Sequence, residues 1–208
     1  LANDTFGWRS ALWIAAALAL AAWALALRRL PPDAGGAPPT AAARLGIGAL
    51  YGRVFDNPKA PWLYAAVVVE GALISGAFPF MGQWLVEQAG SAAGDAPWQA
   101  GLVLGASGIG GLVYAVLVRR IIGWLGVRRM CLAGAAGVAA AYLMLAVVPS
   151  WWLAALAMMA AGLSFYMLHN SLQTEATELA PAARGSAVAL FACGLFAGQA
   201  LGPVLFGA

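Results

Sequence analysis

Glu70 is the one charged residue in the apolar run between Lys59 and Glu87. It lies nine residues after Pro61, about 13 Å into a helix at 1.5 Å per residue. That is close to the middle of a bilayer crossing, slightly toward the cytoplasm. A charged carboxylate at such a depth costs about 3 kcal/mol on insertion scales. A carboxyl able to take up and release a proton there suits proton-coupled movement of a solute. The plainer alternative is a structural Glu, bonded to a neighbouring helix or facing a wet vestibule. A second set consists of Tyr166, His169, Asn170 and Gln173. The spacing i, i+3, i+4, i+7 puts all four on one helix face. Such a stripe can contact a solute, and the lone His can pass protons. Polar residues at a helix end by the membrane interface are the plainer reading. His169 is about 27 Å of helix rise from Trp151, which predicts a position near the cytoplasmic surface. Tyr114 and Gln199 are further candidate contacts for a solute.

Other residues suggest gating. Arg119, Arg120, Arg128 and Arg129 are expected to share a face with Glu175 and Glu178, followed by Arg184. Pairing among them would latch that face, although solvated surface charge is equally ordinary. Pro79 bends the run above Glu70, by removing a backbone hydrogen bond. Gly198, Gly202 and Pro203 form a packing or hinge element. No catalytic constellation, metal-ligand spacing or phosphate loop is present. An enzyme, a metal site and a bound cofactor are therefore not expected. Cys131 and Cys193 read as small apolar core residues.

These residues need elements to hold them. Hydrophobic residues are 63% of the 208, and charged residues 9%, where a soluble domain has about 25%. Apolar segments at about 10–27, 61–86, 97–118, 130–148, 151–172 and 185–207 predict six transmembrane helices. The run from Met130 to Thr174 is uncharged. Val148-Pro149-Ser150 divides it, with Trp151-Trp152 as an interfacial anchor. Period-2 alternation is lacking, which disfavours a β-barrel.

Charge sets the orientation. Threading these spans puts 10 of the 11 Lys and Arg residues on one side, with Arg9 on the other. The cytoplasmic side attracts them, so the first span enters from outside and the sixth ends outside. This distribution accounts for the net charge of +3, and nucleic-acid binding is not implied. A plasma membrane, such as a bacterial inner membrane, suits the pattern.

The connection from Leu30 to Pro61 is the long one. Pro31 to Pro39 reads as a flexible linker, and Ile47 to Phe55 as a short helix on the cytoplasmic membrane surface. The expected organisation is 1–30 as the last helix of one bundle, 31–60 as a central loop, and 61–208 as five spans of a second bundle. Spans two, five and six hold Glu70 with Gln83, the Tyr166 stripe, and Gln199. Lipid cannot satisfy such groups, so these spans are expected to line a cavity. The first and fourth hold almost nothing polar and read as lipid-facing support. Gly101, Gly105 and Gly108, with Ser107, Gly110 and Tyr114 beside them, predict close packing of the third.

Three ordered segments carry a family resemblance. They are Asp4-Thr5-Phe6-Gly7-Trp8-Arg9, then Gly111-x-x-Tyr114 with Arg119-Arg120 and Gly126-Val127-Arg128-Arg129, and then Pro181-x-x-Arg184-Gly185 with Gly198-x-x-x-Gly202-Pro203. Together they resemble the sixth-to-eleventh-helix region of the major facilitator superfamily, in its twelve-helix proton-coupled efflux branch. The loop copy lacks the family's acidic residue, and Arg119 and Arg120 stand in that neighbourhood. The resemblance implies an all-α membrane protein with a partial major-facilitator-type bundle. It implies alternating access around a central cavity, with helices seven, eight, ten and eleven lining it. It also implies N-terminal helices of the same carrier as partners, with protons, a small-molecule substrate and lipid. Proton-coupled efflux of a drug or metabolite is the expected function. The alternatives are a uniporter or importer of the same family, or a non-transporting, partner-dependent membrane scaffold.

Overall fold

A computed structural model describes residues 9–29, 46–76, 78–89 and 96–207. The Asp4 to Trp8 segment, the Pro31 to Pro39 linker, Arg44 and Asp95 lie outside the described residues. The chain divides into two compact units, Leu1–Arg44 and Leu45–Ala208. The first contributes one helix, α1 (Arg9–Arg29), which is Ala- and Leu-rich and ends on Arg28 and Arg29.

The second unit begins with the short helix α2 (Ile47–Phe55). The second span follows as two helices, α3 (Ala60–Gly76) and α4 (Phe78–Ala89). Pro79 stands in the first turn of α4, where its missing N–H costs no helical bond. The third and fourth spans form α5 (Ala96–Val147), with non-helical backbone at Gly126. Its φ of 71° and ψ of 166° fall in a region open essentially to glycine alone, so the chain turns there. The linker expected across 119–129 is therefore mostly helix. α6 (Trp151–Leu179) follows, then a 3₁₀ turn (Pro181–Ala183) and α7 (Arg184–Phe206). Described secondary structure is entirely helical, as an apolar environment demands of the backbone. Five stretches are long and apolar enough to cross a membrane: Leu12–Arg29, Ala60–Leu85, Trp98–Val147, Trp151–Leu179 and Pro181–Phe206. The third, at 50 residues, is long enough for two crossings with the turn at Gly126 between them.

Within the second unit, packing is organised as helix pairs. α5 packs most extensively on α6, and α3 on α7. Small residues make these approaches possible. A side chain at Gly162 of α6 would collide with the Ser107 carbonyl of α5, and one at Gly198 of α7 with the Val68 carbonyl of α3. Gly101, Gly105 and Gly108 behave otherwise, since added Cβ atoms there would meet nothing. The close approach of the third span falls instead on Gly110, against Met159. Of the glycines expected to pack this span, Gly110 is the one that faces α6.

The two ends of the bundle follow from the contacts. At one end α2 buries Val54 against Leu179, Ala180, Ala183 and Ala187. Asn57 Nδ2 donates to the Leu179 carbonyl at 3.1 Å, and Tyr64 Oη to that of Ala187 at 3.0 Å. Ile122 and Thr174 line one groove, so the Gly126 turn shares this end with Glu175 and Glu178. At the other end Leu85, Leu145 and Ala154 form a core with Trp151 packed on it. Trp98 meets Trp151 edge-on at 5.4 Å.

Candidate functional site

Glu70 is carried by α3, six residues before that helix ends at Gly76, and is only 2% exposed. Its Oε1 lies 3.2 Å from Nδ1 of His169 on α6. Among the described residues its Oε2 is buried without a hydrogen-bond partner. His169 thus meets a buried residue of α3, and α6 runs on to Leu179, about 15 Å of helix beyond it.

The pair can exist with one proton more or less. With the extra proton, the contact is either an imidazolium facing a carboxylate or a neutral imidazole facing a carboxylic acid. Without it, Nδ1–H donates to the carboxylate. Aromatic rings pack around the imidazole: Phe165 stacks on it at 5.3 Å, and Phe191 of α7 meets it edge-on at 5.2 Å. The pair is thus shielded by α3, α6 and α7 at once.

Glu70 also borders two cavities. One is lined by Leu73, Phe78, Ser107, Tyr142 and Phe165 among others. The other, of about 320 Å³, includes Ala66, Ala135, Tyr142 and Leu172. Both contain Tyr142, whose hydroxyl donates to the Leu73 carbonyl at 2.6 Å. The fourth span is thus more than apolar support. It holds a hydroxyl on the helix that carries Glu70, one turn beyond that residue. A single Tyr inside an apolar run was the available signal, and its partner is a backbone atom that no side-chain pattern marks.

The stripe on α6 divides in two. His169, at one edge, faces Glu70. Tyr166 and Asn170 instead line an open groove of about 640 Å³ with Gly108, Gly111, Tyr114 and Thr174. Tyr114 and Tyr166 stack with ring centroids 6.2 Å apart and an interplanar angle of 18°. Asn170 Nδ2 donates to the Tyr166 carbonyl at 3.0 Å. The groove has an aromatic wall and hydroxyl and amide groups but no charged lining residue. Tyr166 also touches Phe165 edge-on at 5.4 Å, so aromatic contacts run without a gap from the groove to His169. Gln173 is exposed and outside the groove lining. Gln199 is half-exposed on α7, and it lines neither the groove nor the two Glu70 cavities. Gln83 is exposed and donates to Glu87 at 3.0 Å, which removes it from the polar set around Glu70.

The gate residues are also divided. Glu178 pairs with Arg184 at 3.1 Å, with both side chains more than half exposed. Arg119, Arg120, Arg128 and Arg129 are exposed and join none of the ion pairs among the described residues. Gly202 lies buried on α7 against α3, and Pro203 stands in the last turn of α7, where its carbonyl accepts from Gly207 N–H at 3.0 Å.

Long apolar helices joined by glycine seams define a multi-pass helical membrane protein. The sequence profile of the Major Facilitator Superfamily matches residues 1–203, and the chain belongs to that family of membrane transporters. No curated protein and no solved structure matches it. Membership makes it an integral membrane protein of a family that moves small molecules across the bilayer and is generally not enzymatic.

Proposed function

We propose that the chain serves proton-coupled efflux of a small drug or metabolite by alternating access, with the Glu70–His169 pair carrying the proton. The observation that carries this reading is the pair itself: a carboxylate buried inside a spanning helix, 3.2 Å from the one His of the chain. A buried acid in a membrane helix is costly, and it marks ion pathways far more often than fold support. The groove at Tyr114, Tyr166 and Asn170 is the proposed substrate surface. Its aromatic and uncharged lining favours solutes with flat apolar parts and a few hydrogen-bonding groups. The break between α3 and α4 above Glu70 is the proposed gate, with Pro79 holding the start of the upper helix. Residues 1–30 are proposed as the last helix of one bundle and 61–208 as part of the second, joined by a central loop. The basic end faces the cytoplasm, which suits a bacterial inner membrane.

The test is solute flux in proteoliposomes under an imposed pH gradient, with the carrier as encoded in full. Reversing the gradient is expected to reverse the flux, and Glu70→Gln to abolish the response to the gradient. Flux that ignores the gradient would make the protein a uniporter. Unchanged gradient-driven flux in Glu70→Gln would remove the pair from coupling.

A further inference from the structure

The Gly126 turn has a separate character from the Glu70 site. Arg119 and Arg120 lie near the end of the helix before it, and Arg128 and Arg129 at the start of the helix after it. All four are exposed, and none joins an ion pair among the described residues. The sequence offers little local counter-charge, since no Asp or Glu occurs between Asp95 and Glu175. Glu175, exposed at the same end, is a single carboxylate against four guanidiniums, and Glu178 is already taken by Arg184. Between the two basic pairs stands Trp124, 85% exposed, with Ile122 also exposed.

We propose that this turn binds the phosphate headgroups of anionic phospholipids in the leaflet that it faces. Each half of the patch suits that ligand. The planar guanidinium matches phosphate oxygens in a bidentate manner. Trp is the side chain that settles at the headgroup level, with its ring in the acyl boundary. A free phosphate would use the arginines and leave Trp124 and Ile122 in water, whereas a lipid uses both. The non-helical backbone at Gly126 turns the chain between the two basic pairs, with the exposed Trp124 in the same short stretch. Each basic residue near an anionic surface contributes about a fivefold gain in binding.

The test is native mass spectrometry of the full chain in neutral detergent, titrated with phosphatidylglycerol and separately with phosphatidylcholine. Arg128→Gln with Arg129→Gln is expected to weaken phosphatidylglycerol binding about 25-fold, fivefold for each charge. Arg128→Lys with Arg129→Lys should retain most of it, and phosphatidylcholine binding should not change. Inorganic phosphate should fail to compete. Equal phosphatidylglycerol affinity in the Gln variant overturns the proposal, as does displacement of the lipid by inorganic phosphate. Helix content by circular dichroism checks folding. Should the first variant misfold, Arg119→Gln with Arg120→Gln carries the same expectation and the same overturning result.

Discussion

Glu70 and His169 meet across a single contact of 3.2 Å, in a place that lipid cannot solvate. Their energetics are therefore those of a mutually dependent pair. Removing His169 alone leaves a buried carboxyl with neither oxygen satisfied, at a cost of about 1–3 kcal/mol. Removing the acid first takes away most of that cost. His169→Ala is thus expected to destabilise the wild type clearly more than a Glu70→Leu background, which leaves no buried polar group at that position. A coupling of about 0.5–3 kcal/mol is the usual range for residues in contact. Thermal unfolding of the four proteins of the cycle, purified in one detergent, measures it. Additive effects would show that the contact has no energetic weight. Tyr142 makes a different kind of contact, since its partner is the Leu73 carbonyl. Tyr142→Phe keeps the ring and loses one hydrogen bond, a change of about 0.5–1.5 kcal/mol. A lowered unfolding midpoint with unchanged helix content is the expected result.

At the scale of elements, the helix seams depend on which glycines face a partner. Gly162→Ala must push a methyl into the Ser107 carbonyl, a backbone atom that cannot rotate away. Overpacking of this kind costs about 1–3 kcal/mol. Gly105→Ala meets open space, and the better helix propensity of Ala makes it neutral or slightly stabilising. The contrast between these two substitutions in one unfolding assay tests the α5–α6 seam. Equal effects would mean that the two helices do not approach as described. The Gly126 turn rests on backbone rather than space, because a Cβ there would meet nothing. Its cost is conformational, about 1–3 kcal/mol for a side chain held in that region. Gly126→Ala is therefore expected to lower stability where Gly123→Ala, with equal room and ordinary helical backbone, does not.

The larger unit has a basic end, and Glu87 lies toward the opposite one. Asn57 reaches Leu179, and α2 packs on the turn before α7, so Arg53, Lys59 and Arg184 share one end. The Gly126 turn joins them through the groove that it shares with Thr174. This arrangement predicts sidedness. In a background with Cys131 and Cys193 replaced, Trp124→Cys should react with a membrane-impermeant thiol reagent from the cytoplasmic side only. Pro149→Cys, in the short turn between α5 and α6, should react from the opposite side only. Labelling of both from one side would require a different number of crossings between Trp124 and Pro149. The proposed alternating access belongs to this scale, because α6 contributes to both the pair and the groove, and its motion relative to α3 and α5 would change both together.

The sequence determined the helical membrane class, the approximate spans and the family, because these depend on summed hydropathy and ordered motifs rather than on any single contact. It also singled out Glu70, since an acid in an apolar run stands out without a structure. The glycine faces, the partner of His169 and the role of Tyr142 were different. A helical stripe has edges, and sequence spacing alone does not say that His169 at one edge turns to α3 while Asn170 at the other turns to α5. Only the tertiary structure decided which side chains met, because a pairing such as Glu70 with His169 joins residues 99 positions apart and rests on how helices rotate against one another.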